Sequence, residues 1–208
     1  MHLAIAGNIG SGKTTLTRLL SNHYNLLAQY EDTEDNPYLD DFYHDMNRWS
    51  FNLQIYFLNS RFRQVQDIML HNKNVVQDRT IYEDANIFAP NLYEMDLMSK
   101  RDFDNYQLLF KSMSHFVQPP DLLIYLRASI PTLLQQIQKR GRDYEHSIRQ
   151  DYLEGLNKRY EDWIANYTQG QLLIIEVDNV NYEDTDLDFL NIVKQIDKAL
   201  DSKFITRT

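Results

Sequence analysis

Ile5-Ala6-Gly7-Asn8-Ile9-Gly10-Ser11-Gly12-Lys13-Thr14-Thr15 is the stretch on which the reading of this 208-residue chain turns. Gly7, Gly12, Lys13 and Thr14 satisfy G-x-x-x-x-G-K-[ST], a loop whose successive backbone N–H groups converge on phosphate oxygens. In that pattern Lys13 reaches the β- and γ-phosphates and the Thr14 hydroxyl holds Mg²⁺, so Gly7 through Thr15 are the expected triphosphate contacts. A chance match at these four positions turns up in roughly 1 chain in 100 of this length. The flanks make chance a poorer account. His2 to Ala6 is a short apolar run, and beyond the loop Leu16, Leu19, Leu20 and Tyr24 recur at helical spacing. Strand, loop, helix is the context the motif requires. The phosphate charge then sits on a helix N-terminus, where free amides and the macrodipole favour it.

Composition narrows the class around that loop. At 208 residues the chain is expected to form one domain, residues 1–208, with enough length for a sizeable core. It has no Cys, which excludes a disulfide scaffold, thiol catalysis and a cysteine zinc site. No apolar run approaches membrane-spanning length, and a strand starting at residue 2 leaves no room for a signal peptide, so a soluble cytoplasmic protein without membrane contact is expected. A net charge of −9 argues against nucleic acid as a partner, because neutralising its backbone takes clustered Lys and Arg. Fourteen tyrosines and ten phenylalanines point to broad aromatic surfaces in the core or in a ligand slot.

Outward from the loop, apolar runs and helical periods alternate. Leu26 to Glu31 reads as a second strand, followed by the polar loop Glu31-Asp32-Thr33-Glu34-Asp35-Asn36-Pro37. Ligands of open α/β sheets bind outside the carboxyl ends of the strands, so one of these acids near the phosphates is a plausible base and the rest read as a solvated loop. Trp49 to His71 has the period of a long amphipathic helix. Gln54 and Arg61 share one face of it, about 10 Å apart, either as snorkelling polar groups or as hydrogen-bonders to a planar ligand. Asn74 to Gln77 is a short strand delivering Asp78-Arg79, a carboxylate placed for Mg²⁺ or for an ion pair closing the strand. From Ile81 to Leu92 a helical pattern is interrupted by Pro90, with Asp84 and Phe88 on one face. Asp121 to Leu126 is a continuous apolar run, as in a strand buried on both faces. Ile130 to Lys139 is helical and ends in Lys139-Arg140-Gly141-Arg142, cations that suit either a helix C-terminus or a lid over phosphates. A helix over Ile148 to Tyr167, a strand over Leu172 to Val177 and a final helix opened by a capping box of Thr185 with Asp188 complete an α/β fold: a parallel five-stranded sheet flanked by helices, with a helical lid over about 139–150.

The chain also resembles the deoxyribonucleoside kinases over residues 1 to about 178. The resemblance is carried by the phosphate loop, Glu31, Arg48-Trp49-Ser50-Phe51, Leu53-Gln54-Ile55-Tyr56, Ser60-Arg61, Asp78-Arg79, Asp84, Ile87-Phe88-Ala89, Tyr125-Leu126-Arg127, Arg140-Gly141-Arg142 and Asp151-Tyr152-Leu153, in the family's order. Asp35-Asn36-Pro37-Tyr38-Leu39 is closer to the bacterial branch that takes purine deoxynucleosides. The resemblance implies a P-loop NTPase-like kinase that uses ATP and Mg²⁺, and pairs as a homodimer. It implies Glu31 as the base that deprotonates the sugar 5′-hydroxyl, with Arg79 steadying that hydroxyl and the developing charge. Tyr43 and Glu145 then bind the 3′-hydroxyl, Gln54 reads the base by a two-point amide contact, and Phe88 stacks on it. Arg61 and Asp84 pair at the base's far edge, Thr14 and Asp78 serve the metal, and Arg140 and Arg142 clamp phosphates from the lid.

The sequence departs from the family in four places. Gln136 stands where many relatives have a lid arginine, and Leu53 where animal members have an aromatic. Asp78 is shorter than the common Glu, and Asp32-Thr33 replaces a frequent Pro-Val. A pair of the Arg61–Asp84 type goes with deoxyadenosine, deoxyguanosine or deoxycytidine, of which deoxyadenosine is expected first. The alternatives are a nucleoside monophosphate kinase, against which the acidic 31–41 stretch argues, and a nucleotide-binding switch without transfer. The switch strings N-K-x-D and D-x-x-G do not occur.

Overall fold

The five apolar runs become five parallel strands, β1 (His2–Gly7), β2 (Leu27–Gln29), β3 (Val75–Asp78), β4 (Leu122–Arg127) and β5 (Gln171–Glu176), in the order β2-β3-β1-β4-β5. The computed structural model describes residues 1–31, 33, 35–71, 73–142, 145 and 148–205. The register sets Leu3 against Val76 on one side of β1 and against Leu122 on the other. Central β1 and β4 are apolar on both faces because crossover helices cover both. Leu3 and Ile5 turn to the side packed by α1 (Lys13–Tyr24), α7 (Ile130–Arg140) and α9 (Asp186–Ile205). Ala4 and Ala6 turn to the other, covered by α2 (Leu39–His44), α3 (Met46–His71), α6 (Lys100–Ser114) and α8 (Gln150–Ala165).

This strand order positions the site. From β1 the chain moves out to β2, returns to β3 beside β1, and then crosses to β4 on the opposite flank. The carboxyl end of β1 is therefore the switch point of the sheet, where a crevice opens. The phosphate loop leaves β1 there, Glu31 follows the end of β2, and Asp78 ends β3.

Two local results differ from the sequence expectations. The run after β3 is not broken at Pro90. α4 (Ile81–Glu83) passes into a π-helical turn, Asp84–Phe88, and then into α5 (Ala89–Glu94). Pro90 falls in the first turn of α5, where a missing N–H costs little. The capping box expected at Thr185 is a backbone turn instead, with Asp188 N–H donating to the Thr185 carbonyl at 3.1 Å. A capping box does form at Thr80, which pairs reciprocally with Glu83. Gly141 caps α7 as expected, at φ 65° with its N–H on the Ile137 carbonyl. Along α3 the buried stripe is Ser50, Leu53, Gln54, Phe57, Leu58, Arg61, Val65 and Ile68. Gln54 and Arg61 lie in the middle of that stripe, not on its edges.

Candidate active site

The phosphate loop is held from below and left open above. Gly12, at φ +91°, has no room for a side chain, since a Cβ there would stand 2.0 Å from the Tyr182 hydroxyl. Asn8 fixes the middle of the loop: its amide donates to the Leu153 carbonyl at 3.1 Å and to Asn157 Oδ1 at 3.0 Å, and its Oδ1 accepts from Ile9 N–H at 2.8 Å. α1 starts with no side-chain cap and no acid in its first turn, so its leading amides are available to an anion. Lys13 folds back so that Nζ donates to the Asn8 carbonyl at 2.9 Å. Burial, with Arg79 nearby, pushes its ammonium down to about 8, against the pull of Asp78, Glu31 and Glu83. A triphosphate on this loop would supply the missing counter-charge.

Thr14 and Asp78 meet beside the loop, the Thr14 hydroxyl donating to Asp78 Oδ2 at 2.6 Å. Asp78 Oδ1 is buried with no hydrogen-bond partner among the described residues, and burial pushes the carboxyl up against the pull of Lys13. An orphaned carboxylate oxygen beside a hydroxyl is the donor set that Mg²⁺ takes from a protein when phosphates and water supply the remaining ligands. These two residues fit that ion.

Next to them lies a chain of alternating charges. Arg61 contacts Glu31 Oε1 and stands 2.9 Å from Asp84 Oδ2. Arg79 Nε stands 3.1 Å from the same Glu31 oxygen. Burial opposes ionisation of Glu31, but Arg79, Arg61 and Lys13 outweigh it and hold the carboxyl down to about 2. Burial wins at Asp84, pushing it up to about 7 in spite of Arg61 and Arg79. Arg79 itself has φ +69°, a left-handed backbone rare for a bulky residue and characteristic of functional sites.

Glu31, Arg79 and Asp84 line one cleft of about 710 Å³, together with Tyr43, Gln54 and Phe88, while Arg61 is held against Glu31 and Asp84. Gln54, at 2% exposure, and Arg61, at 3%, are too deeply buried to be snorkelling, which leaves hydrogen bonding as their use. Gln54 Oε1 is buried without a partner among the described residues. One face of Phe88 carries the Arg79 guanidinium at 4.4 Å, so a planar ligand has only the other. Arg140, Arg142 and Glu145 reach the same cleft. Arg140 grips Glu145 in a two-point contact, with Nε on Oε2 at 3.0 Å, and Arg142 stands 3.6 Å from Glu145 Oε1. Of the expected lid over 139–150, Asp143, Tyr144, His146 and Ser147 lie outside the described residues, as do Asp32 and Glu34 of the acidic loop.

Three residues join the site that the sequence did not single out for it. Glu83 and Tyr160 are fully buried and both reach Arg79, and Tyr182 donates to the Gly12 carbonyl at 3.1 Å. Thr80-x-x-Glu83 is a capping-box string and could have flagged Glu83. Tyr160, at core spacing in its helix, carries no signal that separates it from packing. A smaller cleft of about 70 Å³ lies across the loop, lined by Gly10, Thr15, Gln136, Lys139, Asn181 and Tyr182 among others.

Known proteins share this chain's sequence and fold. The deoxynucleoside kinase family pattern matches residues 3–201. A deoxyadenosine/deoxycytidine kinase of Bacillus subtilis is 38% identical over 196 residues, covering 93% of this chain and 90% of its own. A deoxyadenosine kinase of Dictyostelium discoideum is 44% identical over 168 residues, covering 81% of this chain and 68% of its own. A deoxyadenosine kinase from M. mycoides with bound dATP superposes with a TM-score of 0.84 at 29% identity, over 95% of this chain and 100% of that one. With a phosphate loop, a strand-end carboxylate and a shared cleft already in place, the match over nearly the whole length leaves one conclusion: this chain belongs to the deoxynucleoside kinase family and is an enzyme of that kind.

Proposed function

We propose that the enzyme transfers the γ-phosphoryl group of ATP to the 5′-hydroxyl of deoxyadenosine, with deoxycytidine and deoxyguanosine as competing acceptors. The observation that carries this reading is a single cleft lined by Lys13, Glu31 and Gln54, with the Gln54 acceptor oxygen unpaired. A buried acceptor calls for a donor, and the 6-amino group of adenine or the 4-amino group of cytosine supplies one. Guanine presents an acceptor at the corresponding position. Relatives named for deoxyadenosine, deoxyadenosine/deoxycytidine and deoxyguanosine all occur, in keeping with a pocket that tolerates more than one base.

In this reading the triphosphate lies on the amides of residues 8 to 14, and Lys13 leaves the Asn8 carbonyl for its terminal phosphates. Thr14 and Asp78 would hold Mg²⁺, which when bound would supply charge neutralisation at the phosphates. Glu31, kept ionised by its arginines, accepts the hydrogen bond of the 5′-hydroxyl and orients its oxygen at the γ-phosphorus. As that oxygen bonds to phosphorus and the bond to the ADP oxygen breaks, the proton passes to Glu31. Proton transfer to so weak a base comes late, as suits a loose transition state in which positioning matters most. Arg79 faces the developing charge, while Arg140 and Arg142 exchange Glu145 for phosphate oxygens. That exchange frees Glu145, with Tyr43, for the 3′-hydroxyl. Leu108, Leu109 and Phe116, exposed along and just beyond α6, offer an apolar surface for the expected homodimer.

ADP release measured with each of the four deoxynucleosides and with their monophosphates tests this. The expected order of kcat/KM puts deoxyadenosine first and thymidine last, with monophosphates at background. Faster turnover of a monophosphate, or ADP release that ignores the acceptor, overturns the reading.

A further inference from the structure

Arg79 is attached to the phosphate loop by two buried side chains, Tyr160 and Glu83. We propose that Tyr160 and Glu83 are positioning residues that register the Arg79 guanidinium against the phosphate loop, so that base side and phosphate side keep one fixed relation. This rests on the reading of Arg79 given above and deepens it.

The geometry is specific. Arg79 Nη1 donates to the Tyr160 hydroxyl at 2.7 Å, and that oxygen lies 2.8 Å from both the Gly7 carbonyl and Glu83 Oε1. The same Glu83 oxygen accepts the Gly7 N–H at 3.3 Å. Both backbone polar groups of Gly7, the first residue of the loop motif, are thus tied to the pair that holds Arg79. The second Glu83 oxygen accepts Thr80 N–H at 2.7 Å and lies 3.2 Å from the Thr80 hydroxyl, so the carboxylate is fully engaged. Glu83 and Tyr160 are both at 0% exposure, and Arg79 is at 3%.

Three physical points favour positioning over mere packing. Arg79 sits at φ +69° with its N–H on the Ile5 carbonyl, and such a backbone persists only where its surroundings over-determine it. The Tyr160 ring is fixed, stacked on Tyr125 at 5.6 Å between centroids and edge-on to Phe88 at 6.5 Å, so its hydroxyl cannot drift. The third point is electrostatic. Glu83 gives Arg79 a second carboxylate, 3.5 Å away, which leaves Glu31 free to turn toward an arriving hydroxyl without stranding a buried cation.

The experiment compares the intact enzyme with Tyr160→Phe, Glu83→Gln, Arg79→Lys and the Tyr160→Phe/Arg79→Lys double variant, using the best of the four deoxynucleosides. kcat, both KM values and Tm are measured for each. Tyr160→Phe is expected to lower kcat by about 10- to 100-fold, the cost of a misplaced catalytic group, with both KM values nearly unchanged. In the Arg79→Lys background the same change is expected to cost no more than about 2-fold, because the group it aims is already altered. Losses that multiply in the double variant overturn the proposal, as does an unchanged kcat in Tyr160→Phe. Should Tyr160→Phe not fold, Glu83→Gln carries the same expectations, since it keeps size and shape. If Arg79→Lys alone leaves kcat intact, the reading of Arg79 falls and the inference with it. If Arg79→Lys is impaired and Tyr160→Phe is not, only the inference falls.

Discussion

The two halves of the cleft are made from different materials. The phosphate half is backbone: residues 7 to 15 in unbroken sequence, shaped by glycines at φ +155°, +85° and +91° and opened by an uncapped helix start. The acceptor half is side chain: Glu31 from beyond β2, Gln54 from α3, Arg79 from the end of β3, Asp84 and Phe88 from the π-helical turn, with Arg61 of α3 paired to Glu31 and Asp84. A backbone cradle binds any phosphate and says little about chemistry. An array of buried charges can direct a proton and select a ligand, because each member sets the ionisation of the next. Substitutions should therefore separate, those in the first half removing phosphate handling in general and those in the second altering chemistry and choice.

The largest effect is expected at Lys13. Lys13→Ala removes the only side-chain cation of the loop and should lower kcat/KM for ATP by about 10³-fold, with the fold intact by circular dichroism. Turnover near the wild-type rate would break the division outright. Glu31→Gln comes next. It keeps shape and hydrogen bonding while removing the acceptor of the proton, so kcat should fall by about 10²-fold or more with little change in either KM. A rise in KM with kcat preserved would make Glu31 a binding group and move the chemistry elsewhere.

The same division explains how much could be read from residues alone. A backbone site is contiguous, so the string 7–15 was legible as a loop between a strand and a helix, as the structure has it. The sheet was legible too, since continuous apolar runs such as Asp121 to Leu126 have few other uses in a chain of this length. The acceptor half was not, because nothing in spacing says that Gln54 and Asp84 will line the same cleft. Those residues came from a family resemblance, and the structure brings them together. What neither spacing nor resemblance disclosed was the mounting of Arg79. Tyr160 looks like any core aromatic, and its partners in sequence are 153 and 77 residues away. The π-helical turn was hidden for a related reason: Pro90 reads as a break, yet one wide turn before it converts that position into a helix start.

A smaller effect belongs to specificity. Arg61 is shared between Glu31 and Asp84, so changing it alone would disturb the base as well as the pocket. Arg61→Met combined with Asp84→Ala should shift preference toward pyrimidines, by about 10-fold or more in the ratio of kcat/KM values, since a lost polar contact to the base penalises only bases that used it. An unaltered ranking of the four deoxynucleosides would take this pair out of the recognition of the base.

The subtlest effect concerns stability and tests whether burial or pairing governs Asp84. Its carboxyl, ordinarily near 3.8, is pushed up to about 7 by burial, with Arg61 and Arg79 pulling the other way. Between those values the folded protein holds a proton that the unfolded chain has released, so stability falls as pH rises from about 4 to about 7 and levels off above. Glu31 runs in the opposite sense: held down to about 2, it adds stability that is lost only as pH falls below about 4.5. Asp84→Asn keeps the volume and removes the titration, while Arg61 keeps Glu31 as its partner. The Tm gain of this variant over wild type should therefore grow between pH 5 and pH 7 and stay constant to pH 8. At this chain length each kcal/mol corresponds to roughly 2–4 °C, so even a fraction of the shift is measurable. If Asn instead loses stability, and loses more as pH rises, the carboxylate is ionised in the fold and the Arg61 pair outweighs burial. The acceptor half would then be a set of satisfied ion pairs, and the contrast with the phosphate half would rest on geometry alone.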